Sequence, residues 1–116
     1  MKQTLHEELR QYFANIDTLH QEIKTMEDAI ETLNFNQEIL DDILFWNHYL
    51  SLVERVYNHA QNDLEFEDTG EIPQECIDVS KELFKTHKLL KDYDITDFET
   101  YLFAIYFAKN RKEVDK

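Results

Sequence analysis

The sequence predicts an all-α protein: a compact bundle of four to five helices, with a long N-terminal helix or helix pair. Three observations predict it. Glycine and proline occur once each, as Gly70 and Pro73, so the positive-φ turns on which β-hairpins depend are scarce. Apolar residues recur at alternating spacings of three and four, the period of an amphipathic helix. The chain of 116 residues is long enough for one modest core and too short for two, so residues 1–116 are read as a single helical domain.

The first stripe runs through Leu5, Leu9, Tyr12, Ile16, Leu19, Ile23, Met26, Ile30 and Leu33. It predicts one amphipathic helix over residues 3–33, or two collinear pieces. So narrow a stripe needs a partner, either a second copy in a coiled coil or the next helix of the same chain; a matching stripe downstream favours the latter. Asn34, Phe35 and Asn36 interrupt the pattern, and Asn36 is a suitable N-cap for a second helix from Gln37 to about Asn62. The inward positions of that helix are Ile39, Ile43, Trp46, Leu50, Val53, Tyr57 and Ala60. Residues 63–73 gather the glycine, the proline and five acids into one loop. A third helix is predicted from Pro73, a favoured first-turn residue, to about Lys91, with Cys76, Val79, Leu83 and Leu90 inward. Thr96 and Glu99 stand at capping-box spacing and open a fourth helix that is apolar on nearly every side. A helix of that kind is expected to be central, its aromatics Phe98, Tyr101, Phe103, Tyr106 and Phe107 belonging to the core. The polar residues 109–116 are expected to fray.

A net charge of −13 argues against binding nucleic acid by neutralising phosphates. The charge is uneven: residues 1–80 carry 4 Lys/Arg against 18 Asp/Glu, a net of −14, and residues 81–116 carry 8 against 7, a net of +1. One cysteine, Cys76, excludes an intrachain disulfide framework and a cysteine-based zinc site, as suits a reducing cytosol. No basic-then-apolar leader and no run of eighteen apolar residues appears. A cytoplasmic protein without membrane attachment is the expectation.

Few residues suggest chemistry. Asp63, Glu65, Glu67, Thr69 and Glu71 alternate like a calcium loop, but Asp68 stands where the sharp turn needs glycine and Gln74 where a bidentate glutamate belongs. Ser51, Ser80 and Cys76 lack a neighbouring base, and a zinc site from His59 and Asp63 would rest on spacing alone. The chain is read as no enzyme, with no cofactor and no metal. Lys81, Lys85, Lys88 and Lys91, at spacings of four, three and three, share one predicted helix face, either solvated or a docking face for an acidic partner. Asp41, His48 and Arg55 are seven apart, two helical turns, and are flanked by His59. An imidazole on such a stripe can accept a phosphoryl group that a nearby arginine pairs; its bland alternative is a boundary histidine bonded to a neighbour.

The segment Ile43-Leu44-Phe45-Trp46-Asn47-His48-Tyr49-Leu50-Ser51-Leu52-Val53-Glu54-Arg55 resembles the surroundings of the first phosphorylatable histidine in the PTS regulation domain. That family comprises helical modules of bacterial antiterminators and activators controlled by the sugar phosphotransferase system. Residues 94–110 are similar to its closing helix, so the resemblance covers about residues 10–112. It implies a non-catalytic regulatory module, controlling transcription or a partner protein, phosphorylated at His48 by a phosphocarrier or sugar-specific component. Arg55, Asp41 and His59 would surround the phosphate. It also implies a homodimer. Where the family carries a second histidine this chain has Tyr106, and the usual nucleic-acid-binding companion domain is absent. The alternative is a structural protein–protein adaptor, a coiled-coil-like dimer or bundle with His48 inert.

Overall fold

The computed structural model describes residues 1–111. It is all-helical, with five α-helices and no strand among the described residues: α1 (Gln3–Leu9), α2 (His20–Thr32), α3 (Ile43–Tyr57), α4 (Gln74–Thr86) and α5 (Asp97–Asn110). Short 3-10 turns at Ile16–Thr18 and Gln37–Asp41 precede α2 and α3. The helices pack α1 on α3, α2 on α4 and α3 on α5, and α4 with α5 forms the most extensive pair. One continuous core runs from Leu5 to Phe107, with Trp46, Tyr49, Phe45, Phe103 and Phe107 its largest fully enclosed side chains.

The N-terminal stripe does not form one helix or two collinear pieces. An unbroken helix over residues 3–33 would be about 46 Å long, and the molecule measures 38 Å in its longest dimension. The chain instead leaves the helix after Leu9, and Phe13 takes the buried place predicted for Tyr12, which is 62% exposed. Arg10 spans the break, reaching Asp17 at 2.8 and 3.0 Å and Glu7 at 3.3 Å. Leu5, Leu9, Ile16, Ile23, Met26 and Ile30 are all spent on the chain's own core. They are therefore not available to a coiled-coil dimer.

Asn36 is a cap as predicted, its side chain accepting from Glu38 N–H, but of a 3-10 turn and not of α3. Asp42 caps α3, accepting from Leu44 N–H. The second helix therefore begins six residues later than its apolar pattern suggests and ends at Tyr57. Two helix ends use αL residues other than glycine. Asn34 (φ 55°) follows α2 and His59 (φ 54°) follows α3. Each closes a Schellman pair: Asn34 N–H to Glu31 O with Phe35 N–H to Ile30 O, and His59 N–H to Val56 O with Ala60 N–H to Arg55 O. The loop after α3 extends to Pro73 as predicted.

α4 stops at Thr86, five residues short of the predicted end, although no glycine or proline is near. His87 causes the stop. Its fully buried ring turns back and Nδ1 accepts from Leu89 and Leu90 N–H, both at 3.2 Å. Thr96 caps α5, accepting from Glu99 N–H as the capping box requires. Lys109 and Asn110 complete α5, Asn110 donating to Asp42 at 3.0 Å, and Arg111 pairs with Glu75 at 2.8 Å. The expected fraying does not include these three residues; residues 112–116 lie outside the described part.

Candidate functional site

Along α3 and α5 the sequence brings two unlike seams together. The first is ionic. Arg55, seven residues beyond His48, sends Nε to Glu99 Oε2 at 2.8 Å and one Nη to Oε1 at 2.9 Å, while Asn62 N–H donates to Oε2 at 3.0 Å. Glu99 is 0% exposed and Arg55 about a quarter exposed. Burial alone would raise the Glu99 carboxyl, yet the Arg55 and Asn62 hydrogen bonds and the guanidinium charge hold it below the ordinary value. The capping-box glutamate thus keeps its backbone role but sends its side chain across to another helix. The backbone N–H of Thr96, which a capping-box carboxylate would take, is bonded by Gln61 Oε1 instead.

The second seam is aromatic. His48 lies across Tyr106, ring centroids 4.9 Å apart and planes 27° from parallel, and tilts on Phe103 at 5.6 Å. Its Nε2 is enclosed with no hydrogen-bond partner. Enclosure, with a smaller contribution from the charge on Arg55, lowers its pKa, and Glu99 works weakly the other way. The imidazole is therefore neutral at physiological pH, half-buried and uncommitted.

The other predicted site residues are dispersed. Asp41 does not join His48, because the stripe of seven assumed one helix and the 3-10 turn ends before α3 begins; Asp41 is exposed and faces Lys2 at 3.3 Å. His59 stands exposed in the αL turn beyond α3. The lysine face does not survive as four residues on one helix, since Lys88 and Lys91 lie past the end of α4; Lys81 and Lys85 remain on it, exposed. Ser80 Oγ is buried and donates to Cys76 O at 3.0 Å, and Cys76 is itself buried, its thiol pushed up by that burial. Among the described residues no three His, Cys, Asp or Glu side chains are grouped to hold a metal ion, and no helix is long and apolar enough to cross a membrane.

Two features escaped the sequence. One is the Arg55–Glu99 pair, hidden because Glu99 already had a role as a capping residue. The other is a buried relay. With His87 Nδ1 accepting two backbone N–H groups, its proton is on Nε2, which donates to Tyr49 Oη at 2.7 Å; Tyr49 donates in turn to Glu22 O at 2.7 Å. Only the position of His87 among apolar residues hinted at this.

No family model, no curated protein and no solved structure matches the chain.

Proposed function

We propose that this chain is a non-catalytic regulatory module of the PTS regulation domain type, with His48 accepting a phosphoryl group from a cytoplasmic phosphocarrier. The observation that carries the reading is the stacking of His48 on Tyr106. The two positions at which the resembling family places histidines thus face each other across α3 and α5. A neutral imidazole is the form in which a ring nitrogen has the lone pair that attacks phosphorus. As the new N–P bond forms, the donor's N–P bond breaks and the donor imidazole leaves. Nε2 is enclosed, so acceptance falls to Nδ1. Arg55 offers the dianion its remaining Nη while Glu99 repels it, so phosphorylation loosens the α3–α5 seam by competing for one guanidinium. Asp41, turned away toward Lys2, has no part in this.

The test is incubation with phosphoenolpyruvate, the general phosphotransferase enzyme and the histidine phosphocarrier, then intact-mass measurement at neutral to alkaline pH. One added phosphate, absent in His48→Ala, is the expected result. No uptake from these donors or the sugar-specific components overturns it. The outcome then favours the adaptor reading, a structural protein–protein interaction module in which His48 is inert.

A further inference from the structure

α5 buries one side, Glu99, Thr100, Phe103, Ala104 and Phe107. The sequence predicts a helix enclosed all round, but the opposite side reaches solvent. Phe98, Leu102 and Ile105 follow one another at spacings of four and three along it, Ile105 40% exposed. The loop after α3 covers only the first turns of this strip, where Phe66 rests on Phe98 and Tyr101 with ring centroids 5.9 and 4.7 Å away. Beyond Tyr101 the strip is open.

Its margin is acidic. Asp97 stands on α5 itself, and the covering loop brings Asp63, Glu65, Glu67, Asp68 and Glu71, all exposed and none in an ion pair among the described residues. Of the basic groups beside the strip, Lys109 is engaged with Asp42 at 3.4 Å and Arg55 with Glu99, while Lys81 on α4 lines one pocket with Asp68 and Asp97 and is outnumbered by the carboxylates around it. Hydrophobic ridges spaced like a helix, in a rim of free carboxylates, match a helix with an apolar face and lysine or arginine on its flanks. A second copy of this chain is the wrong complement, because it would set the same carboxylates against each other.

We infer that the outer side of α5 is a docking surface for a cationic amphipathic helix of a partner protein. The inference stands on the exposed strip and its acidic rim, and does not require His48 to be phosphorylated.

The probe is a synthetic leucine/lysine peptide of about five helical turns with leucines on one face, titrated calorimetrically against the full chain. Its control is a scramble of equal charge without an apolar face. Expected is a 1:1 complex that weakens with salt, binds at least about tenfold tighter than the scramble, and loses about tenfold in Ile105→Ser. Tyr12→Ser, at an equally exposed apolar position on another part of the molecule, leaves affinity unchanged, and circular dichroism shows both variants folded. Equal affinity for the scramble, or for Ile105→Ser, overturns the inference in favour of charge alone. A dimer that Ile105→Ser dissociates, with no peptide binding, assigns the strip to a second copy instead. Binding to lipid vesicles but not to the peptide assigns it to a membrane surface. Each of these results is independent of phosphate uptake.

Discussion

Arg55 on α3 and Glu99 on α5 form a two-pronged ion pair, at 2.8 and 2.9 Å, around a carboxylate that has no exposure to solvent. Such a carboxylate tolerates burial because three donors replace its water. Removing the guanidinium leaves a buried charge with one backbone N–H. Arg55→Met should therefore cost about 3 kcal/mol at pH 7 in urea unfolding. Arg55→Met with Glu99→Gln should recover part of that loss, since no net charge then stays buried. If the single variant loses less than about 1 kcal/mol, the pair is no more than a surface contact.

His87 sets a pH dependence of its own. Burial lowers its pKa to about 4 from the ordinary histidine value of 6.5, against the opposing effect of a backbone hydrogen bond. The unfolded chain thus binds more protons than the native one between those values. The stabilisation from keeping this ring neutral is complete above pH 6.5 and is lost as pH falls from 6.5 to 4, about 3 kcal/mol in all. Asp42 and Glu99, whose carboxyls are held below their ordinary values, lose theirs at lower pH still. His87→Asn can keep accepting from the Leu89 and Leu90 N–H groups and cannot titrate. Stability curves of the two proteins, measured by urea unfolding from pH 7 to 4, should therefore converge toward the acid end.

Two αL residues that are not glycine invite stabilisation. His59→Gly should raise stability by about 0.5–1 kcal/mol, and Asn34→Gly by less, because asparagine tolerates this conformation better than histidine. Thermal melts would show the order as a difference of a few degrees, roughly 3 °C for the larger gain.

Cys76 is 2% exposed and its thiol is pushed up by burial. In the native protein a disulfide-exchange reagent should label it far more slowly than free cysteine, and labelling should rise with the unfolded fraction in urea. Rapid native labelling would mean that α4 opens locally at this position.

The helical class, the acidic loop, the Thr96 cap and most of the core could be read from the sequence, because apolar period and capping residues are local signals. What stayed hidden came from side chains with two possible uses. Phe13 or Tyr12 could fill the first bend, and only packing chooses Phe13. Asn36 and Asp42 could both cap, and the shift of six residues between them removed Asp41 from the stripe of His48. The end of α4 has no breaker in sequence; it is made by a histidine ring folding back on its own backbone. His48 and Arg55 were legible as residues of interest, but the aromatic and acidic partners that define their surroundings come from α5, more than forty residues away.

The stem of the long loop is stitched to the start of α5 by four bonds. Gln61 Nε2 donates to Asp94 O at 2.8 Å and its Oε1 accepts from Thr96 N–H at 3.0 Å, while Asn62 O accepts from Thr96 Oγ1 at 2.6 Å and Asn62 N–H meets Glu99 at 3.0 Å. Past this stitch the next tie to the body is Phe66, and Gly70 follows in an open bend held by Asp68. Chain added between Glu67 and Glu71 would enlarge a ring already closed at its base, and each doubling of such a ring costs only about 0.6 kcal/mol. An epitope or a fluorescent reporter belongs there, where the scaffold can carry a passenger without yielding a helix.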